Sequence, residues 1–298
     1  MINQGRDMLK EESTNEETIG QLYAILSYLV QNCCPMIHIQ GNSSMALPQI
    51  LESFFNPLFV QSLPAAKAQC INGCIRKTIG KLFAGLTSLY KSNDAYIDRK
   101  LKLMFTTYVP LFAVKNATHP LLLELSQNRA SSGDLFFLLL HYVKDCLFVR
   151  AAPNPALTIQ LVQFTSEFYS VRTHPEQRNL LFQMFPSFLD KMLSSDELTK
   201  RRIRDLLTLM VNRSKEQLGD AEQAKSLAGF YEEFIRKNSA NLIRVIKVLE
   251  FTLPFCLLIR EKLISTLMYL IKQFEDSASG VDDLLRVCFQ QFVNKISN

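Results

Sequence analysis

The residue types able to do chemistry are thinly spread along this sequence, and only the cations gather. Metal ligation needs clustered Cys, His or carboxylate side chains. Cys70 and Cys74 are four apart and share a face if they lie on one helix. No second Cys or His pair lies near them and Gly73 intervenes, so two small residues at a helix contact is the simpler reading. Cys33 and Cys34 are adjacent, a spacing awkward for chelation, and read as buried or idle thiols. Of the four histidines, His38, His119, His141 and His174, two precede Pro120 and Pro175 and mark helix starts. His141 sits in the most apolar segment, where a hydrogen-bonded core histidine belongs. The patterns G-x-S-x-G, G-x-x-x-x-G-K-[ST] and G-x-G-x-x-G do not occur. The sequence thus offers no catalytic, cofactor or metal site. An enzyme would need a site assembled from distant residues, and that reading ranks behind two kinds of interaction protein.

The cations say more. Between residues 200 and 215, Lys200, Arg201, Arg202, Arg204, Arg213 and Lys215 stand against one acid, Asp205. Six cations and one acid leave +5, the formal net charge of the entire chain. On a helix, Ile203, Leu206, Leu207 and Met210 form the core face. Arg201, Arg204 and Asp205 then point outward, and Arg202 and Arg213 share a flank about three turns apart. Arg236, Lys237, Arg244 and Lys247 form a second, more dilute group. The bland reading is solvated basic faces. The sharper one is a patch for a weak, sequence-independent contact with DNA phosphates or an acidic protein. No aromatic residues are interleaved with these charges, which argues against a dedicated single-strand groove. Phe148-Val149-Arg150-Ala151 also fits F-x-x-A, a tetrapeptide by which several proteins engage RecA-type recombinases. With 21 phenylalanines, about one such match is expected by chance. Phe148 also ends an apolar segment, so core packing comes first and Phe148 and Ala151 are a weak recombinase candidate.

The elements carrying these residues read as helices. Glycines and prolines fall mostly between periodic segments, and alternating β-branched runs are missing. Leu22, Ile25, Leu26 and Leu29 make one helical face, and Ile75, Ile79, Leu82, Leu86 and Leu89 another. Pro35 is expected to end the first unit. Gly73 and Gly80 are places where a neighbouring helix can approach closely. The segment from Ser131–Asp134 to Val149 is apolar on all sides and is expected to be fully buried. Capping boxes at Thr173–Glu176 and Ser194–Glu197 open two later helices, and a new helix is expected from about residue 216. The expected organisation is a flexible lead-in over 1–15 and a single α-helical repeat domain over 16–298. Short loops between about a dozen helices favour antiparallel pairs stacked as a degenerate HEAT- or armadillo-like α-solenoid. No strict sequence period appears, and a compact irregular bundle is the main alternative.

Composition bounds the setting. Hydrophobic residues make up 48% and charged residues 20% of the chain, enough for a substantial core. The N-terminal residues are polar, unlike a signal peptide. No stretch approaches the ~18 apolar residues of a membrane span. Seven cysteines, an odd number, fit a reducing compartment better than a disulfide framework. The expectation is a cytoplasmic or nuclear protein without a membrane or small-molecule partner.

One stretch resembles a known family. It reads Gly85-Leu86-Thr87, then Ser92-Asn93-Asp94-Ala95-Tyr96-Ile97 with Arg99 and Leu101. Tyr108-Val109-Pro110-Leu111-Phe112 and His119-Pro120-Leu121-Leu122-Leu123 follow. The opening Met1-Ile2-Asn3-Gln4-Gly5 and Gln21-Leu22-Tyr23 are similar more loosely. These residues resemble the C-terminal domain of the S-phase genomic-integrity recombination mediators. The resemblance implies a nuclear, chromatin-associated protein acting at stalled or collapsed replication forks. It implies a stable complex with a Tonsoku-like protein and help in loading the strand-exchange recombinase during homologous recombination. It also implies a chain that is a C-terminal piece or short isoform of something longer. The basic cluster and the F-x-x-A map onto no family motif. The competing reading is a HEAT-like adaptor in an unrelated assembly or transport complex.

Overall fold

The computed structural model describes residues 2–11, 15–39, 46–90, 95–127, 132–149, 154–171, 174–275 and 283–297. Of these, ~91% are helical and none lies in a strand. The nearest thing to sheet is an isolated bridge between Val114 and Ala117, closed around Asn116 at φ 66°. The chain is all-α, as its periodicity predicts. It divides into two compact units, Met1–Arg172 and Thr173–Asn298.

The first unit contains α1 (Ile2–Lys10), α2 (Glu16–Ile39), α3 (Ala46–Ile50), α4 (Pro57–Gln61), α5 (Ala65–Tyr90), α6 (Ala95–Phe112), α7 (Pro120–Gln127), α8 (Ser132–Lys144) and α9 (Pro155–Ser170). α3 and α8 each run on into a π-helical turn, Leu51–Phe55 and Asp145–Val149. α5 is the spine. Its Ile71, Ile75, Ile79, Leu82 and Leu86 are fully buried, and α2, α7 and α8 pack on it, while α6 packs on α9. The most extensive packing therefore skips sequence neighbours.

Close approach is set by two glycines. A Cβ on Gly85 would lie 2.6 Å from the Gln31 Cα and 2.7 Å from the Val30 carbonyl of α2. A Cβ on Gly80 would lie 2.6 Å from the Glu124 Cβ and 2.8 Å from the Pro120 carbonyl of α7. Gly73, expected to serve the same purpose, faces open space.

Two tyrosines tie the π turn to its neighbours. Asn56 breaks the helix with an extended backbone (φ −70°, ψ 115°) before Pro57, which has no N–H to give. The hydroxyl of Tyr23 donates to the Phe54 carbonyl at 2.6 Å, and that of Tyr108 to the Phe55 carbonyl at 3.1 Å. Both tyrosines are buried, so these carbonyls would otherwise lack a partner away from water.

Three expectations change here. Residues 2–10 are helical, with Leu9 fully buried and the Phe54 ring 3.1 Å from where a Gly5 Cβ would stand. So short a helix is marginal alone and is held by packing rather than propensity. α2 continues through Pro35 to Ile39. α8 is not buried on all sides, for Phe137 is 51% exposed.

The second unit contains α10 (Pro175–Phe182), α11 (Phe185–Leu193), α12 (Glu197–Lys237), α13 (Leu242–Phe251), α14 (Leu253–Cys256), α15 (Arg260–Glu275) and α16 (Asp283–Ser297). α12 is its spine, packed by α10, α11 and α15, and α13 pairs with α16. An aromatic cluster fills the centre. Phe185 stacks on Phe230 at 5.7 Å and meets Tyr231 edge-on at 5.8 Å. The cap of α12 is Asp196 rather than Ser194. Its carboxylate accepts the Thr199 N–H at 2.9 Å and the Thr199 hydroxyl at 2.7 Å, a charged acceptor displacing a neutral one. For α10, Thr173 lies outside the described residues. His174 is the cap, and its N–H donates to Gln177 Oε1 at 3.3 Å.

The break expected near residue 216 falls at Gly219, whose φ of 74° and ψ of 167° only glycine adopts without strain. Buried Gln223 clamps the bend. Its side-chain amide donates to the Val211 carbonyl and, at 2.8 Å, to the Ser214 hydroxyl.

Candidate functional site

α12 presents the core face its sequence predicts: Ile203, Leu206, Leu207 and Met210 are all fully buried. The six cations then separate around the helix. Lys200 and Arg204, one turn apart, face α13. Arg201 and Arg202 are exposed, Arg213 is half-buried on the flank of Arg202, and Lys215 pairs with Asp220 at 3.0 Å beside the bend. Arg204 is half-covered rather than outward. Its guanidinium carbon lies 5.1 Å from the ring centroid of Phe251, a cation–π contact.

The second basic group completes what the first begins. A cleft of about 530 Å³ opens between the end of α11, the start of α12 and the outer face of α13. Lys200 enters it from α12, and Arg244 and Lys247 enter it from α13. Arg244, Lys247 and Phe251 stand at i, i+3 and i+7, one face of α13. Leu193, Val248 and Phe251 give the cleft an apolar floor. Its one acid, Glu197, is paired with Lys200 at 3.0 Å. Arg244 and Lys247 are exposed and form no ion pair among the described residues. The remaining cations of the second group are neutralised: Arg236 bonds Glu232 at 2.8 Å and Lys237 bonds Asp190. Both groups are legible in the sequence, but the meeting of Lys200 with Arg244 and Lys247, and of Arg204 with Phe251, is not. The i, i+3, i+7 spacing of Arg244, Lys247 and Phe251 is the signal the sequence offers for it.

The other candidates are dispersed. Phe148 is half-buried in the π turn after α8, and Ala151 lies outside the described residues. Cys70 and Cys74 are half-buried between α2 and α5, where burial pushes both thiols up, away from the thiolate a metal requires. Among the described residues no three His, Cys, Asp or Glu side chains gather as a metal site. The side chains of Cys33, Cys34 and His38 lie outside the described residues. No described helix is long and apolar enough to cross a membrane.

His119 lies deep in the first unit. It is 2% exposed. Its Nδ1 accepts the Leu121 N–H at 3.3 Å and its Nε2 faces the Tyr108 carbonyl at 3.4 Å, so it caps the start of α7 as its place before Pro120 predicts. Burial pushes the ring down to about 4. With Phe164 edge-on at 5.1 Å and Phe112 beside it, it is a neutral structural ring sealed from solvent.

A family model described as the S-phase genomic integrity recombination mediator, C-terminal, matches residues 6–296. No match is found among curated proteins or among solved structures.

Proposed function

Since the chain belongs to the S-phase genomic integrity recombination mediator family, through that family's C-terminal domain, we propose that it is a non-enzymatic interaction scaffold in homologous recombination. In this reading it acts in the nucleus, on chromatin at stalled or collapsed replication forks. It holds a Tonsoku-like partner and promotes loading of the RecA-type recombinase. The helices stack as a degenerate HEAT- or armadillo-like solenoid, a form suited to extended partner surfaces. The observation that carries the reading is the family match, which spans nearly the whole chain. The test is affinity purification from cells under replication stress, followed by mass spectrometry. Recovery of a Tonsoku-like protein and the recombinase supports the reading. Recovery of an unrelated transport or assembly complex in their place selects the adaptor.

Lys200, Arg201, Arg202, Arg204, Arg213 and Lys215 serve in this reading as a weak contact for DNA phosphates or an acidic protein, and Phe148 and Ala151 as a lesser recombinase contact. Arg201 and Arg202 are the cations to probe, being exposed and remote from the core. Arg201→Glu with Arg202→Glu should leave folding within about ±0.5 kcal/mol per site. DNA affinity should fall, and so should the dependence of affinity on salt, because fewer counterions are released. Unchanged affinity and salt slope would reduce the cluster to a solvated helix face.

A further inference from the structure

We infer that the cleft between α11, α12 and α13 is a docking site for an acidic segment of a partner protein, one carrying carboxylates on either side of a single apolar side chain. Its volume of about 530 Å³ falls within the roughly 300–1,000 Å³ of sites that enclose compact ligands. The rim and the floor ask for different chemistry. Arg244 and Lys247 stand exposed at the rim without an ion pair among the described residues, while the partners of Arg236 and Lys237 nearby are in place. A carboxylate there gains two cations and displaces none. Leu193, Val248 and Phe251 below them offer contact that only an apolar side chain uses.

Charge alone does not separate an acidic peptide from nucleic acid, but Phe251 does. Single strands bind by stacking bases on free aromatic faces beside a cationic track. The guanidinium of Arg204 already lies over the Phe251 ring, and Arg202 and Arg213 lie on another flank of α12, so beyond Arg204 the cations do not continue the cleft as a track. The cleft is short and apolar at its base, and its cations without an ion pair, Arg244 and Lys247, stand on one wall, which suits an amphipathic acidic segment.

The inference rests on the scaffold reading above, but it is read from binding by the purified chain, so its failure leaves the cellular purification result standing. The probe is a fluorescently labelled peptide of about ten residues, Glu and Asp around one central Leu, spanning roughly 30 Å when extended. Saturable anisotropy binding to the full chain is expected. Arg244→Glu with Lys247→Glu should weaken it at least about tenfold, the measure of roughly 1.4 kcal/mol, with the helical circular dichroism melt unchanged. Replacing the central Leu of the peptide by Ser should weaken it comparably. If the double variant unfolds, Lys247→Gln alone should still weaken binding several-fold in a folded chain. The inference fails if the parent shows no saturable binding, or if the folded variants bind as the parent does. It also fails if an oligothymidylate of matched length displaces the peptide at lower concentration, which would assign the cleft to nucleic acid.

Discussion

The backbone N–H of His119 donates to the Glu167 carboxylate at 3.0 Å, joining the start of α7 to α9. This places an ionisable pair where solvent does not reach the ring, and the pair sets how the first unit responds to acid.

The acid response has a definite sign. The neutral ring accepts the Leu121 N–H at Nδ1, and the charged ring has no lone pair with which to do so. An unfolded chain takes up a proton as pH falls through 6.5, whereas the folded chain resists until about 4. His119 thus costs no stability above pH 6.5, and stability is lost as pH falls toward 4, by about 3 kcal/mol in all. Glu167, whose carboxyl is pushed up by burial, acts in the opposite direction, and Arg76 adds to the depression of the ring. Urea midpoints measured from pH 7.5 to 4.5 should fall, and His119→Gln should flatten that fall. An acid limb of the same steepness in the variant would assign it to other groups.

The tyrosine hydroxyls on the π turn are separable from their rings. Tyr23→Phe and Tyr108→Phe each keep the buried aromatic body and leave the carbonyl of Phe54 or Phe55 without its donor. Each should destabilise the chain by about 1–2 kcal/mol. The double variant should depart from additivity, since the two acceptors are adjacent. Denaturant titrations of the two singles and the double measure this directly.

Two glycines of α5 predict opposite outcomes from the same substitution. Gly85→Ala drives a Cβ into the backbone of α2 and should cost about 1–3 kcal/mol. Gly73→Ala meets nothing within 4 Å on a helical backbone and should stabilise by about 0.5–1 kcal/mol. Thermal melts of the pair test the α2–α5 packing; an undiminished melt for Gly85→Ala would mean that the crossing there is not as close as described, and a lowered one for Gly73→Ala that Gly73 does not face open space.

The bend in α12 should be sensitive at Gly219 and at its clamp. Any L-residue at 219 is strained, so Gly219→Ala should cost about 1–3 kcal/mol. Gln223→Leu strips the buried Ser214 hydroxyl of its amide donor and leaves the Val211 carbonyl with the Ser214 hydroxyl as its one side-chain donor, and should cost about 1–3 kcal/mol. Native-state hydrogen exchange should show faster exchange in the helical turns beside the bend in both variants. Protection equal to the parent's would count against the clamp.

Much of this fold is written in periodicity. The buried stripe of α5 and the core face of α12 follow from apolar residues at i, i+3 and i+4, because burial of one stripe is what selects the helix. The resemblance residues Tyr108 and His119 are packing groups, one hydrogen-bonding a π turn and the other capping α7. What periodicity does not encode is the neighbour. Nothing in the α8 sequence distinguishes Phe137, half-exposed, from the fully buried Leu138. Ser194 and Asp196 are both acceptable caps, and only the geometry at Thr199 chooses between them. The same holds for the cleft. The cations of α12 and α13 are plain in the sequence, but their meeting depends on α11 and α13 lying against the start of α12.

The aromatic cluster of the second unit also gives that unit its own optical label. The chain has no tryptophan, and only two of its nine tyrosines, Tyr231 and Tyr269, follow residue 173. Tyr231 is sealed among Phe185 and its neighbours, where burial pushes its hydroxyl well above the ordinary phenol range, while Tyr269 is 53% exposed. While the second unit is folded Tyr231 stays a phenol in alkali, and it converts to the ultraviolet-absorbing tyrosinate when the surrounding helices come apart. The ultraviolet difference spectrum of a chain reduced to these two tyrosines therefore follows the opening of the second unit without an added dye.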